Sequence, residues 1–491
     1  MRLWLLVLVL GACGDNRPAP PAIPDCSAWG PPATGLGLDA AREAHRRSAL
    51  RARLRYRDAV EPGYVLHETA LAADQDRIER GEVCGGQLYE VGRILFEHQF
   101  DFSEGLAGSD EAFTRVQNGR HGGPETTSCL SCHWRNGVGG GGALPDAAYI
   151  GGDGDRVSSA DARNPPALIG SGAVQAIAQD MTAQLAALRT DVIARAKKSG
   201  ALEEVALVAN GTSFGTLYAD PRGNLRTGDV SGVDADLVIR PFGWKGTAAT
   251  ISEFIAEAAF LHMGLQSEDA ALVGAPDPLE LDDGPLDELT SGQITALAVY
   301  VASLETPIMT PHVAPVDRND PAGAVEPYLV DEWARGRTVF EEIRCADCHT
   351  PMMTLPSPTV TIASPATGGG VTIDLSTAAE APRIARDVDG GYPVFVFSDF
   401  KRHDLGEENA SQHLQHGLAP RLYLTRRLWG VGDSAPYFYD GQSASIEHAI
   451  ERHGGEAARQ REMWRALPTS DRSALRVFLT SLRRSPRLSI P

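Results

Sequence analysis

The residues with the clearest chemistry lie in two copies of the pattern C-x-x-C-H. One copy is Cys345-Ala346-Asp347-Cys348-His349 and the other is Cys129-Leu130-Ser131-Cys132-His133. This pattern is the attachment signature of a c-type haem, in which two cysteine sulfurs form thioether bonds and the histidine ligates the iron. Half of a zinc site is the alternative. Because the pattern occurs twice, we predict two covalently attached c-type haems, held by Cys129, Cys132, His133, Cys345, Cys348 and His349.

The ligand on the other side of each iron decides what such a protein does. Two strong axial ligands give an electron carrier, whereas an open position lets peroxide or another small molecule bind. For the second haem we expect His453 as the distal ligand, because Gly454-Gly455 lets the backbone turn beside the ring. His403 is its rival. For the first haem four candidates stay open: His98, His121, His262 and Met263.

Peroxide cleavage would also need an acid–base group beside an open iron. The stretch between His98 and Ser128 offers four candidates, although a solvated loop of charged residues is the simpler interpretation of each. They are Glu104, Glu111, His121 and Glu125.

Length and charge restrict the classes of partner. The chain has 491 residues, enough for two or three domains, and a formal net charge of -19. Phosphate binding requires basic patches, so we expect no nucleic-acid partner. The acidic balance favours a basic redox partner protein, such as a small cytochrome or a cupredoxin, through electrostatic steering.

The N-terminus predicts export and anchoring. Residues 1–12 have an apolar run too short to span a bilayer and are typical of a signal peptide. The sequence Leu10-Gly11-Ala12-Cys13 has the form of a bacterial lipobox, which predicts a lipidated Cys13 in a membrane, facing the periplasm or the cell exterior. An ordinary signal peptide is the alternative. In an oxidising compartment, Cys26 and Cys84 are expected to form a disulfide, with two free thiols as the alternative.

Helical periodicity and proline content suggest the division of the chain. We predict helices near 38–56, 86–98, 173–188, 291–304, 331–343, 446–453 and 470–482, with Ser470 as an N-cap and a loop over 351–395. The prolines between Thr306 and Pro327 mark a linker. The expected parts are a signal peptide at 1–12, a tether at 13–35, an N-terminal haem domain at 36–305, a linker at 306–330 and a C-terminal haem domain at 331–491.

Two internal matches indicate that the two halves are related. Ala296–Leu304 matches Ala474–Leu482 at five identical positions and two similar ones, and Gly92–Glu97 matches Gly336–Glu341. In the second half the haem motif follows its segment almost directly, whereas in the first half the stretch from His98 to Ser128 intervenes. We therefore expect a mainly α fold of two tandem cytochrome-c-like domains with long loops, the first enlarged by insertions.

From about Gly92 to Leu482 the chain resembles the bacterial di-haem oxidoreductases, labelled thiol oxidoreductases or peroxidases and distantly similar to di-haem cytochrome c peroxidase and MauG. Beyond the two haem motifs, the stretches that carry the resemblance are Asn164–Gly170, Arg240–Lys245, Phe397–Phe400, His403–Gly406, Leu428–Gly432, Pro436–Gly441 and His453–Glu456.

The resemblance implies two covalent c haems, electron transfer between them and His453 at the distal position of the C-terminal haem. Two positions depart from the family pattern. Relatives usually have histidine where this chain has Tyr439, and they often have methionine where it has Leu405, which excludes a sulfur ligand there. Two functions therefore stay open: a di-haem oxidoreductase with peroxidase-like reduction at one haem, and a non-catalytic electron-transfer cytochrome.

Overall fold

The computed structural model describes residues 29–33, 65–101, 104–106, 114–115, 120–121, 124–143, 148–151, 157–267, 269, 288–307 and 327–484. Helix accounts for 39% of the structure and strand for 15%. The expected mainly α character is therefore met only in part, because short sheets accompany the helices. The predicted signal peptide, Cys13, Cys26, the helix near 38–56, Glu111 and most of the linker lie outside the described residues.

Eleven α-helices form the scaffold of the described residues. They are α1 (Val65–Ala72), α2 (Gln75–Glu79), α3 (Gly85–Glu97), α4 (Cys129–Cys132), α5 (Ser171–Ser199), α6 (Ile251–Met263), α7 (Ser291–Ala302), α8 (Pro327–Glu342), α9 (Ile446–Glu451), α10 (Ala458–Arg465) and α11 (Thr469–Ser481). Side chains fix several starts: the Thr250 hydroxyl accepts from Glu253 N before α6, and Ser445 caps α9 in the same way. No described helix is long and apolar enough to cross a membrane.

The strands are short and belong to small antiparallel sheets. In chain order they are β1 (Trp29–Ala33), β2 (Thr114–Arg115), β3 (Arg120–His121), β4 (Ala148–Ile150), β5 (Asp161–Arg163), β6 (Glu203–Ala209), β7 (Thr212–Ala219), β8 (Leu225–Arg226), β9 (Met353–Leu355), β10 (Thr359–Ala363), β11 (Gly370–Asp374), β12 (Tyr392–Val394), β13 (Arg402–Asp404) and β14 (Leu422–Leu424). The two larger sheets have the orders β1-β11-β10 and β6-β7-β8, and the others are pairs.

The two sequence repeats form the same helix crossing twice. A Cβ added at Gly92 of α3 would lie 2.0 Å from the carbonyl oxygen of Ala296 in α7, and one at Gly336 of α8 would lie 2.0 Å from that of Ala474 in α11. At both crossings only glycine lets the backbones approach this closely.

The aromatic contacts repeat as well. The rings of Phe96 and Tyr300 have centroids 5.3 Å apart, and those of Phe340 and Phe478, the matching positions, are 5.5 Å apart. The sequence repeat is therefore a structural repeat of one helix pair.

Some predicted elements need correction. The stretch 351–395, expected to be a loop, contains β9, β10, β11 and β12. Ser470 lies inside α11, whose N-cap position is Pro468. Helix α8 begins at Pro327, within the predicted linker, and α5 continues to Ser199 rather than ending near residue 188.

One hydrophobic cluster contains residues of both halves, from Leu66 to Leu482. The strand β1 joins the N-terminal region to the second half by pairing with β11. Cys84 is disulfide-bonded, while its expected partner Cys26 lies outside the described residues. The proposed domain boundaries stay a prediction.

Candidate haem sites

The second C-x-x-C-H motif begins at the end of α8. Arg344, with a φ of 65°, turns the chain, and Cys345–Asp347 then form one turn of 3-10 helix. His349 Nδ1 donates to the carbonyl oxygen of Phe397 at 3.1 Å, which directs Nε2 away from the backbone. Burial, followed by the nearby charge of His453, lowers the pKa of His349 to about 4. The ring is therefore held as a neutral imidazole, the form that ligates a metal.

His453 faces His349. It lies just beyond α9, and its Nδ1 donates to the carbonyl oxygen of Ala449 at 2.8 Å, which again leaves Nε2 as the free nitrogen. The ring centroids of the two histidines are 6.4 Å apart. Two imidazoles bonded at about 2.0–2.1 Å to opposite sides of one metal ion have centroids about 6.3 Å apart. The two rings therefore fit the two axial positions of a single iron.

The cavity around this pair suits a flat apolar cofactor. Its lining includes Cys345, Cys348, His349 and His453, together with apolar side chains: Phe340, Leu405, Trp429, Phe438, Ile450 and Leu479. An apolar pocket with a few polar anchors is the usual environment of a bound cofactor. The residues present thus fit a haem attached at Cys345 and Cys348.

His403 does not compete with His453 for this position. Its Nε2 is 2.9 Å from Asp399 Oδ2 and its Nδ1 is 2.8 Å from Glu456 Oε2, so both ring nitrogens face carboxylates. Although burial opposes it, the bond to Asp399 raises the pKa of His403 to about 11. Because both ring nitrogens are hydrogen-bonded to carboxylates, His403 presents no free nitrogen to an iron, and the geometry favours His453 over it.

A zinc site fits the geometry less well than haem. Among the described residues, one group with metal-binding potential brings together Cys348, Asp399 and His403. A zinc ion bound by the C-x-x-C-H motif would need Cys345 or His349 as well, and neither belongs to that group.

The first motif is held differently. Cys129–Cys132 form helix α4, whose N-cap Ser128 accepts from Ser131 N. His133 Nδ1 lies 3.1 Å from the carbonyl oxygen of Pro166 and 3.3 Å from that of Gly140. Burial lowers the pKa of His133 to about 4.

The glycine-rich stretch after His133 is a packed turn. Gly139, Gly140, Gly141 and Gly142 are buried, and a Cβ at Gly140 would lie 1.7 Å from the carbonyl oxygen of Arg135. The glycines let the chain fold back beneath His133, so that the carbonyl of Gly140 reaches the imidazole.

Among the distal candidates of the first site, His262 is placed best. Its Nδ1 is 2.6 Å from Glu125 Oε2, and Glu125 lies four residues before Cys129 in the sequence, which brings His262 to the first haem motif. His98 Nε2 instead lies 2.8 Å from the buried Glu104, and Met263 is 4% exposed within the hydrophobic core. The side chain of His121 lies outside the described residues.

Glu125 is the acid–base candidate that the structure associates with this site. Its Oε1 accepts from Tyr149 N at 2.7 Å, while its own N–H donates to the carbonyl oxygen of His262 at 2.9 Å. The stretch between His98 and Ser128 therefore supplies the group that fixes His262. Tertiary contacts of this kind have no signature in the sequence.

Two arginines near the sites escaped the sequence analysis. Arg426 lies over the ring of Trp244 at 5.0 Å, and Arg427 donates to the carbonyl oxygen of Ala167 at 2.7 Å. Both line the cavity of His349 and His453. They directly precede the Leu428–Gly432 stretch. Two consecutive arginines beside a stretch that carries the family resemblance were the feature of the sequence that could have indicated them as site residues.

Comparison with known proteins gives a family match in the second half of the chain. A family model described as "Di-haem oxidoreductase, putative peroxidase" matches residues 328–482, which include Cys345, His349 and His453. Among curated proteins, none matches the chain. One similar solved structure is titled "Crystal structure of a MauG-like protein associated with microbial copper homeostasis", with 14% identity and a TM-score of 0.31 over 81% of this chain and 88% of that chain. At this level of similarity no property of that protein is transferred to this chain.

Proposed function

Because residues 328–482 match the model of the di-haem oxidoreductase family, we propose that this chain carries two covalent c-type haems and reduces a small oxidant such as peroxide. The haems would supply one-electron chemistry at iron. The observation that carries the proposal is the facing pair His349 and His453, with ring centroids 6.4 Å apart and both Nδ1 atoms bonded to carbonyls. If His349 and His453 both ligate one haem iron, the second site would serve as an electron relay.

The first site is the better place for the reaction. His262 is fixed through Nδ1 by Glu125, so its Nε2 is free to hold or release a proton. Reduction of hydrogen peroxide to two water molecules consumes two electrons and two protons. In this proposal the redox partner supplies the electrons and the His262–Glu125 pair delivers protons near His133.

One observation favours a second function. His262 is hydrogen-bonded to Glu125, four residues before the first haem motif, so it is also a candidate ligand of the first haem. With His262 bound to iron, both haems would have two histidine ligands, and the chain would act as an electron-transfer cytochrome. The two functions differ in whether peroxide changes the state of the first haem.

The cellular setting follows from the same proposal. The tandem cytochrome-c-like domains would each be closed by one copy of the repeated helix crossing, α3 with α7 and α8 with α11. A lipid on Cys13 would hold the chain at a membrane, where a basic cytochrome or a cupredoxin would exchange electrons with it.

Intact-mass measurement and pyridine haemochrome spectra of the purified chain test the cofactor assignment. We expect two covalent haems in the natural chain and one in a Cys345→Ser/Cys348→Ser double variant. A His262→Gln variant should keep both haems but lose most peroxide turnover. A chain with no covalent haem would refute the proposal, and full turnover in His262→Gln would refute the role of His262.

A further inference from the structure

Residues 164–167 form a short segment, called the wall below, between the two candidate haem sites. On one side, the carbonyl oxygen of Pro166 accepts from His133 Nδ1 at 3.1 Å. On the other side, residues 164–167 line the cavity that contains His349 and His453. Asn164 fixes this wall to the second half, since its N–H donates to the carbonyl oxygen of Tyr439 at 2.8 Å. The same few residues therefore border both sites.

Two arginines beside this wall, Arg163 and Arg426, lack counter-charges among the described residues. Arg163 is 6% exposed and donates from Nη1 to the carbonyl oxygen of Ala162, while its Nε and Nη2 have no described partner. Arg426 is half-buried on the lining of the cavity and forms no ion pair with a described residue, and burial lowers its pKa well below the ordinary value. Burying a cation without an anion is costly, so this arrangement calls for an anionic ligand.

The neighbouring acidic residues are already engaged. Asp161 accepts from the backbone N–H groups of Gln412 at 2.7 Å and His413 at 2.9 Å. Asp440 accepts from Arg452 at 2.7 and 2.8 Å. Neither carboxylate is hydrogen-bonded to the wall arginines in the described structure. A further buried cation, Lys245, deepens the local excess of positive charge.

Lys245 is itself satisfied by the backbone. Its Nζ donates to the carbonyl oxygens of Ala419, Pro420 and Leu422 at 3.3, 2.7 and 3.0 Å. Arg427 similarly donates to the carbonyl oxygen of Ala167 at 2.7 Å. These two cations are part of the framework, whereas Arg163 and Arg426 keep donors that the described protein groups do not use.

We propose that Arg163 and Arg426 bind the propionate carboxylates of the two haems, so that both cofactors are anchored to one shared cationic wall. The proposal rests on the proposed function, because it needs a haem at each motif. The planar fork of a guanidinium group matches a carboxylate with two parallel hydrogen bonds. Arg163 has such a fork available in Nε and Nη2.

Arg426 is placed to act on both haems. It lines the cavity of His349 and His453, and it lies over Trp244, whose Nε1 donates to the carbonyl oxygen of Asn164 at 2.8 Å in the segment that also borders the first site. A cation near a haem favours the reduced state, which carries one positive charge less than the oxidised state. Replacing Arg426 should therefore lower both reduction potentials, whereas replacing Arg163 should affect most strongly the haem whose carboxylate it binds.

Spectroelectrochemical titration of the haem-loaded full chain between pH 5 and pH 9 tests this assignment. In Arg426→Gln we expect both haems to shift at least tenfold towards the oxidised form at pH 8, about 59 mV for a one-electron couple. In Arg163→Gln the shift should be clear at pH 8 and small at pH 5, because a propionate without its arginine can take up a proton. Arg402→Gln is the matched control, since this buried arginine has its own carboxylate, Asp234, at 2.7 Å.

Unchanged potentials in both glutamine variants, with two haems bound, would overturn the proposal while the proposed function stands. If the variants do not fold, the pH dependence of the reduction potentials of the natural chain tests the proposal by itself. Carboxylates held ionised by arginine predict potentials nearly independent of pH between 5 and 8, and a fall of about 59 mV per pH unit would overturn the assignment. A natural chain without haem would overturn the proposed function itself, and this inference with it.

Discussion

Gly336→Ala tests whether the helix crossing of α8 and α11 holds the second half together. The new Cβ would lie 2.0 Å from the carbonyl oxygen of Ala474 and 2.8 Å from Phe478 Cβ, whereas real Cβ contacts are essentially never shorter than 3.0 Å. To lengthen the closest contact from 2.0 Å to 3.0 Å, the backbones of the two helices must separate by at least 1.0 Å. Overpacking of this kind costs about 1–3 kcal/mol, and alanine returns roughly 0.5–1 kcal/mol of helix propensity.

The net loss should approach about 2 kcal/mol, because the obstacle is backbone and cannot rotate away. For a chain of 491 residues the midpoint shifts by roughly 1 °C per kcal/mol, so it should fall by about 2 °C. Thermal unfolding of the haem-loaded chain, followed by circular dichroism, measures this change. Gly228→Ala is the matched control, since nothing lies within 4 Å of its added Cβ. Equal midpoints for Gly336→Ala and Gly228→Ala would refute the packing argument, and a neutral Gly92→Ala would refute the equivalence of the two crossings.

Two further predictions concern the histidines. His453→Ala should convert the second haem from low-spin to high-spin, whereas replacement of the exposed His448 in helix α9 should leave its visible spectrum unchanged; an unaltered spectrum in His453→Ala would exclude this ligand. The hydrogen bond to Glu257 raises the pKa of His416. The pair therefore stabilises the fold fully below about pH 6.5, which is the pKa of histidine in the unfolded chain. This contribution is lost as the pH rises through the pKa of His416 in the folded chain. Urea unfolding of His416→Gln should therefore show its largest loss of stability near pH 6 and almost none at high pH, and a loss that grows with pH would contradict the assignment.

Helix positions were predictable where the apolar period is long and the caps are strong. The predicted segments 86–98 and 291–304 correspond to Gly85–Glu97 and Ser291–Ala302. The strands within 351–395 were missed, because each has only three to five residues among turn-forming glycines and prolines. Runs this short show too little alternation to be distinguished from a loop.

The sites were predictable to the extent that their residues are adjacent in sequence. The haem motifs are local patterns, and the glycines after His453 suggested a turn at that residue. The choice among the four distal candidates of the first haem depended on Glu125, which lies 137 positions from His262. Arg426 was missed for a related reason, since its lack of a counter-charge is a property of the folded surroundings and not of its sequence neighbours.

Electron paramagnetic resonance of the oxidised, purified chain before and after addition of peroxide tests the central claim most directly. The account predicts one low-spin ferric signal from the haem between His349 and His453, and one high-spin ferric signal from the first haem that disappears with peroxide. Two low-spin signals that do not respond to peroxide, before or after reduction of one haem, would contradict an oxidant-reducing first site and support the electron-transfer cytochrome instead.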